Sequence, residues 1–142
     1  MCGAPRGVIL TLEPMALRSL IVDDNPRFLA AARTLLEREG IVVVGVASSC
    51  AEAVQMAGAL RPDVALVDID LGDESGFDVA RRLAGADGAE LSPVVLISAY
   101  PEGDFADLIA ASPAVGFLSK SDVSATNIRD VLLRAANGRS GG

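Results

Sequence analysis

Five short runs of aliphatic residues, rich in valine and isoleucine, limit what this chain can fold into: LIV at 20–22, IVVVGV at 41–46, VALV at 64–67, VVLI at 94–97 and VGFL at 115–118. They show little polar alternation, which suits strands of a parallel sheet covered on both faces. Helical spacing fills the gaps between them. Phe28, Ala32, Leu35 and Leu36 share one face of a first helix, and Val54, Ala57 and Leu60 one face of a second. Phe77, Ala80, Leu83 and Ala84 mark a third helix, Phe105, Leu108 and Ile109 a short fourth, and Ile128, Val131, Leu132 and Ala135 a fifth. Asn25-Pro26 reads as an N-cap followed by proline at the first helical position. Ser49 and Glu52 have capping-box spacing, and Pro62 lies just past the end of the helix they open. A strand–helix unit repeated five times predicts an α/β fold, with right-handed crossovers and helices on both faces of the sheet.

At 142 residues the chain has the length of one domain. Residues 17–138 hold the repeating pattern, whereas 1–16 carry Gly3, Pro5, Gly7 and Pro14 and read as a flexible N-terminal extension. Residues 139–142 read as a Gly/Ser tail. A net charge of −7 argues against a nucleic-acid-binding surface, and no apolar run reaches the length of a membrane span. Cys2 and Cys50 make no disulfide framework, which favours a reducing cytoplasm. With no histidine, Ser-His-Asp and Cys-His triads and most zinc sites drop out. The lack of a Gly-rich phosphate loop removes GTPases and kinases.

Ligands of open parallel α/β sheets bind beyond the carboxyl ends of the strands. Asp23 and Asp24 follow the first run, Asp68 the third, Ser98 the fourth and Lys120 the fifth. Singly, each has an ordinary explanation: a turn aspartate, a serine cap, a solvated lysine. Together they are hard to assign to chance. Carboxylates gathered at one sheet end repel by about 4 kcal/mol per close pair at an effective dielectric near 20. Oxygen-only ligands of this kind suit Mg²⁺ or a similar hard cation such as Mn²⁺. The cation and Lys120 would then neutralise an incoming phosphoryl group, and Ser98 would donate to one of its oxygens.

The segments LIVDDN (20–25), DVALVDIDLGDESG (63–76), VLISA (95–99) and GFLSK (116–120) resemble the motifs of response-regulator receiver domains. The resemblance implies a flavodoxin-like doubly wound sheet of five parallel strands, order 2-1-3-4-5. It implies a domain that is not an enzyme acting on an outside substrate. Asp68 would take a phosphoryl group from a histidine kinase or phosphotransfer protein, and only its own phosphorylation and dephosphorylation would be catalysed. It further implies Mg²⁺ held by Asp23, Asp24, Asp68 and the backbone carbonyl of Asp70, with Lys120 on the phosphate and Ser98 and Phe117 as switch residues. A face formed by the fourth helix, fifth strand and fifth helix would bind an output partner or a second copy. The chain departs from the common pattern at Gly72, Ser121 and Phe117, where many relatives have Pro, Pro and Tyr. Asp68-x-Asp70 also resembles the haloacid dehalogenase-like phosphatases, and a receiver-like binding module that is never phosphorylated is the other alternative.

Overall fold

Asn25 and Pro26 set the first crossover: the Asn25 side chain accepts from the amides of Arg27 and Phe28, and the helix opens on the proline. The computed structural model describes residues 16–85 and 88–141, with side chains through residue 137. The expected extension at 1–16 therefore lies outside the described residues except for its last position. Five strands, β1 (Arg18–Val22), β2 (Val42–Ala47), β3 (Val64–Asp68), β4 (Val94–Ser98) and β5 (Gly116–Ser119), form one sheet. All four strand pairs are parallel and the order is β2-β1-β3-β4-β5, the expected doubly wound topology. The helices are α1 (Pro26–Arg38), α2 (Cys50–Leu60), α3 (Gly76–Leu83), α4 (Ala106–Ala111) and α5 (Ala125–Gly141).

Alternate residues of each inner strand face opposite sides, so each strand feeds two cores. Leu20, Val22, Ala65, Val67 and Leu96 pack with Ala53, Ala57, Val79, Ala80 and Leu83 from α2 and α3. Ile21, Leu66, Val95 and Ile97 pack with Ala32 and Leu36 of α1 and Ile128 of α5. Each fully buried aliphatic side chain contributes about 2 kcal/mol, which explains why these strands are apolar on both faces.

Several local expectations change. Leu35 and Leu108, on the helical faces that the sequence spacing marks, are 39% and 56% exposed. Phe105 precedes α4 in a 3₁₀ turn (Glu102–Phe105), and the backbone of α5 continues through Gly141 into the segment read as a tail. The fifth strand ends at Ser119, and Lys120 just past it opens a second 3₁₀ turn, Lys120–Asp122. A two-residue hairpin, Asp70–Leu71 with Glu74–Ser75, gave no sequence signal.

Two carboxylates join elements far apart in sequence. Glu39, at the C-cap of α1, accepts from the Ala125 amide at 2.6 Å and so caps α5. Glu74 of the hairpin accepts from the Cys50 amide at 2.8 Å at the start of α2. In contrast, Ser19 on β1 is fully buried and its Oγ meets no partner among the described residues. An unpaired buried hydroxyl carries a desolvation cost with no return. Ser19→Ala should therefore raise stability by about 1 kcal/mol, seen as a higher urea midpoint with an unchanged slope. A lower midpoint would mean that the hydroxyl is satisfied in solution.

Candidate functional site

The sheet topology brings Asp23, Asp68, Ser98 and Lys120 to the carboxyl edge of β1, β3, β4 and β5. They line a cavity of about 230 Å³ together with Asp24, Asn25, Asp70, Gly72, Ala99 and Tyr100. Asp23 is fully buried, Asp68 and Ser98 are buried, and Asp24 is exposed at the rim.

Each buried carboxylate is fixed by its own turn. Asp23 Oδ1 accepts from the Asn25 amide at 2.8 Å, and Asp68 Oδ1 from the Asp70 amide at 3.0 Å. Both remaining oxygens face Lys120. Its Nζ stands 2.6 Å from Asp23 Oδ2 and 3.0 Å from Asp68 Oδ2. Apart from that ion pair, the buried Asp23 Oδ2 takes no directed hydrogen bond among the described residues. Burial pushes the Asp68 carboxyl above its ordinary range; the Asp70 amide and Lys120 oppose the shift, and Asp23 adds to it. Burial also works against the Lys120 ammonium, yet Asp23 and Asp68 outweigh it and its pKa is raised, so the lysine stays charged.

The acidic set fits a hard cation. One oxygen from each of Asp23, Asp24 and Asp68 lies within 4.8 Å of the others. Three carboxylates against one ammonium leave the cluster net negative, and Asp23 Oδ2 has capacity left for a further positive partner. Asp70 stands at the edge: its amide holds Asp68, and its own carboxylate accepts from the Gly72 amide at 3.0 Å. Ser98 Oγ accepts from the Tyr100 amide at 2.9 Å, which leaves its proton to donate. Phe117 pairs with Leu96 across β4 and β5 and packs half-buried at the edge of the α2–α3 core.

Two features escaped the sequence reading. The Phe28 ring, assigned to a core face, lies under the Lys120 ammonium, 4.5 Å from Nζ to the ring centre. Lys120 is also the sole lysine of the sequence, every other basic side chain being arginine, a count that could have singled it out.

Residues 19–132 match the response regulator receiver domain family. A candidate transcriptional regulator of Pseudomonas aeruginosa is 37% identical over 82% of this chain and 53% of its own length. The chain spans about half the length of the curated relatives it matches. The signal receiver domain of the candidate response regulator NarL from Mycobacterium tuberculosis superposes with a TM-score of 0.71 at 31% identity, covering 87% of this chain and 98% of that one. A response regulator from Burkholderia pseudomallei, solved with a phosphorylated aspartic acid, calcium ion and citrate, gives 0.70 at 25% identity over 88% and 72%.

Proposed function

This chain belongs to the response-regulator receiver family, and from that premise we propose that Asp68 is its phosphoacceptor. The observation that carries the reading is the Lys120 ammonium held between Asp23 Oδ2 and Asp68 Oδ2 in a cavity that also contains Ser98. One Asp68 carboxylate oxygen attacks the phosphorus of a phosphohistidine in a histidine kinase or phosphotransfer protein. The phosphorus–nitrogen bond breaks and its electron pair leaves with the imidazole. Asp23, Asp24, Asp68 and the carbonyl of Asp70 would hold Mg²⁺ or Mn²⁺, which supplies neutralisation of phosphoryl charge when bound. Lys120 neutralises the remaining charge and Ser98 donates to a phosphoryl oxygen. The calcium ion and phosphorylated aspartic acid in the Burkholderia pseudomallei relative support this assignment.

Movement of Ser98 toward the phosphoryl group would open space that the half-buried Phe117 ring enters by packing alone, since it has no hydroxyl to satisfy. The face made by α4, β5 and α5 would then engage an output partner or a second copy. The reading places the domain in the cytoplasm beside its kinase; no described helix is long and apolar enough to cross a membrane. Membership in the receiver family displaces the phosphatase alternative.

The test uses acetyl phosphate as donor and intact mass as readout. One phosphoryl group should appear on the chain with Mg²⁺ and disappear when a chelator replaces the cation. Equal labelling with and without the chelator would overturn the cation's place in the reaction. No labelling in either condition would favour a binding module that is never phosphorylated.

A further inference from the structure

We propose that Phe28 is a positioning residue for Lys120, its ring face seating the ammonium beside Asp68. The inference deepens the phosphoacceptor reading and rests on it for its kinetic part only.

Among the described residues the ammonium meets Asp23 Oδ2 at 2.6 Å, Asp68 Oδ2 at 3.0 Å and the Phe28 ring at 4.5 Å. The two carboxylates also belong to the acidic set that fits a divalent cation, so their oxygens are shared. The ring is not one of those oxygen ligands, so its contact with the ammonium is not shared with a cation. A cation over an aromatic face is held by the ring's quadrupole, and the effect grows when water is excluded. The Lys120 side chain is 17% exposed, so its ammonium has lost part of its water. Lysine is a compact charge on a flexible stem, and two shared carboxylates alone define its position poorly.

The backbone that places the ring also places the acid. Asp23 Oδ1 accepts from the Asn25 amide, and the Asn25 side chain accepts from the Phe28 amide at 3.4 Å. Carboxylate, helix cap and ring therefore sit on one short bracket from 23 to 28. The ring also packs, half-buried, against the α1–α5 core, so it cannot swing freely. A purely structural role would need only an apolar side chain of similar volume, and leucine supplies that.

Because Lys120 is the sole lysine, lysine labelled with ¹³C and ¹⁵N reports on it alone. In metal-free protein its ε-methylene and ammonium signals should carry a ring-current shift to low frequency. That shift should vanish in Phe28→Leu and persist in Phe28→Tyr. With acetyl phosphate and Mg²⁺, Phe28→Leu should label Asp68 about fivefold more slowly, and Phe28→Tyr within about twofold of wild type. Wild-type lysine signals at free-lysine values would overturn the proposal, as would a leucine variant that labels at the wild-type rate. Failure of wild type itself to label would instead strike the phosphoacceptor reading, and the lysine spectra would still decide the ring contact.

Discussion

Asp68→Asn is expected to take no phosphoryl group from acetyl phosphate under conditions that label wild type, and to change how stability depends on pH. Loss of labelling follows from removing the attacking oxygen, since an amide is not a nucleophile at this position. The second effect follows from burial. Asp68 titrates above its ordinary value of 3.8 in the folded protein, mainly because desolvation disfavours its charged form. The folded state thus binds this proton more tightly than the unfolded chain does. Unfolding free energy then falls as pH rises through the interval between the two pKa values. Asparagine has no such step. The stability of Asp68→Asn relative to wild type should therefore climb as metal-free samples pass from below pH 3.8 to pH 7. The fixed cost of offering one amide oxygen to two donors, the Asp70 amide and Lys120, is the same at every pH in that range and does not alter the slope. Labelling of the variant equal to wild type would remove Asp68 from the chemistry. A flat stability difference would mean that its carboxylate is not strained by burial.

The strands and the residues at their ends were legible because both follow short-range rules. Valine-rich runs without alternation suit strands covered on both faces, as the inner strands β1, β3 and β4 are, and Asp23, Asp68 and Ser98 follow directly from where those runs stop. Once the order β2-β1-β3-β4-β5 holds, these groups must meet at one edge, and Lys120 joins them just past β5. Caps were legible for the same reason, with one shift: Glu52 accepts from the Ser48 amide and hydroxyl while its own amide donates to Ser49. What stayed hidden depends on distant partners. Glu39 looks like a solvated helix-end carboxylate until α5 places Ala125 against it, 86 residues away. Glu74 has the same character toward Cys50. Phe28 fits the helical period of a core face, and the period cannot say that one face of its ring carries a charge. The hairpin at Asp70–Leu71 and Glu74–Ser75 is too short for any periodicity to register.

Gly76 is another such position, and Gly76→Ala should be the most destabilising single-methyl addition near the site. The reason for glycine here is close approach rather than dihedral freedom. It begins α3, and its amide donates to the Ile69 carbonyl at 2.8 Å. A Cβ there would stand 2.0 Å from the Asp68 carbonyl oxygen and 2.8 Å from the Ile69 Cα. Both are backbone atoms, so no rotamer change relieves the clash; the start of α3 must move away from β3. Forced overpacking of this kind costs about 3 kcal/mol, or roughly 10 °C in melting temperature for a domain of this size. Because the displaced carbonyl is that of Asp68, the carboxylate should leave its place beside Lys120, and labelling by acetyl phosphate should slow as well. Gly72 is the internal control. It has φ +75, yet an added Cβ would meet only the Asp24 side chain at 3.0 Å, which lies exposed at the rim and can turn away. Gly72→Ala should cost about 1 kcal/mol, the strain of a left-handed alanine. Chemical denaturation of both variants decides the point: equal losses would mean that the contact between α3 and the Asp68 backbone does not set the requirement for glycine at 76.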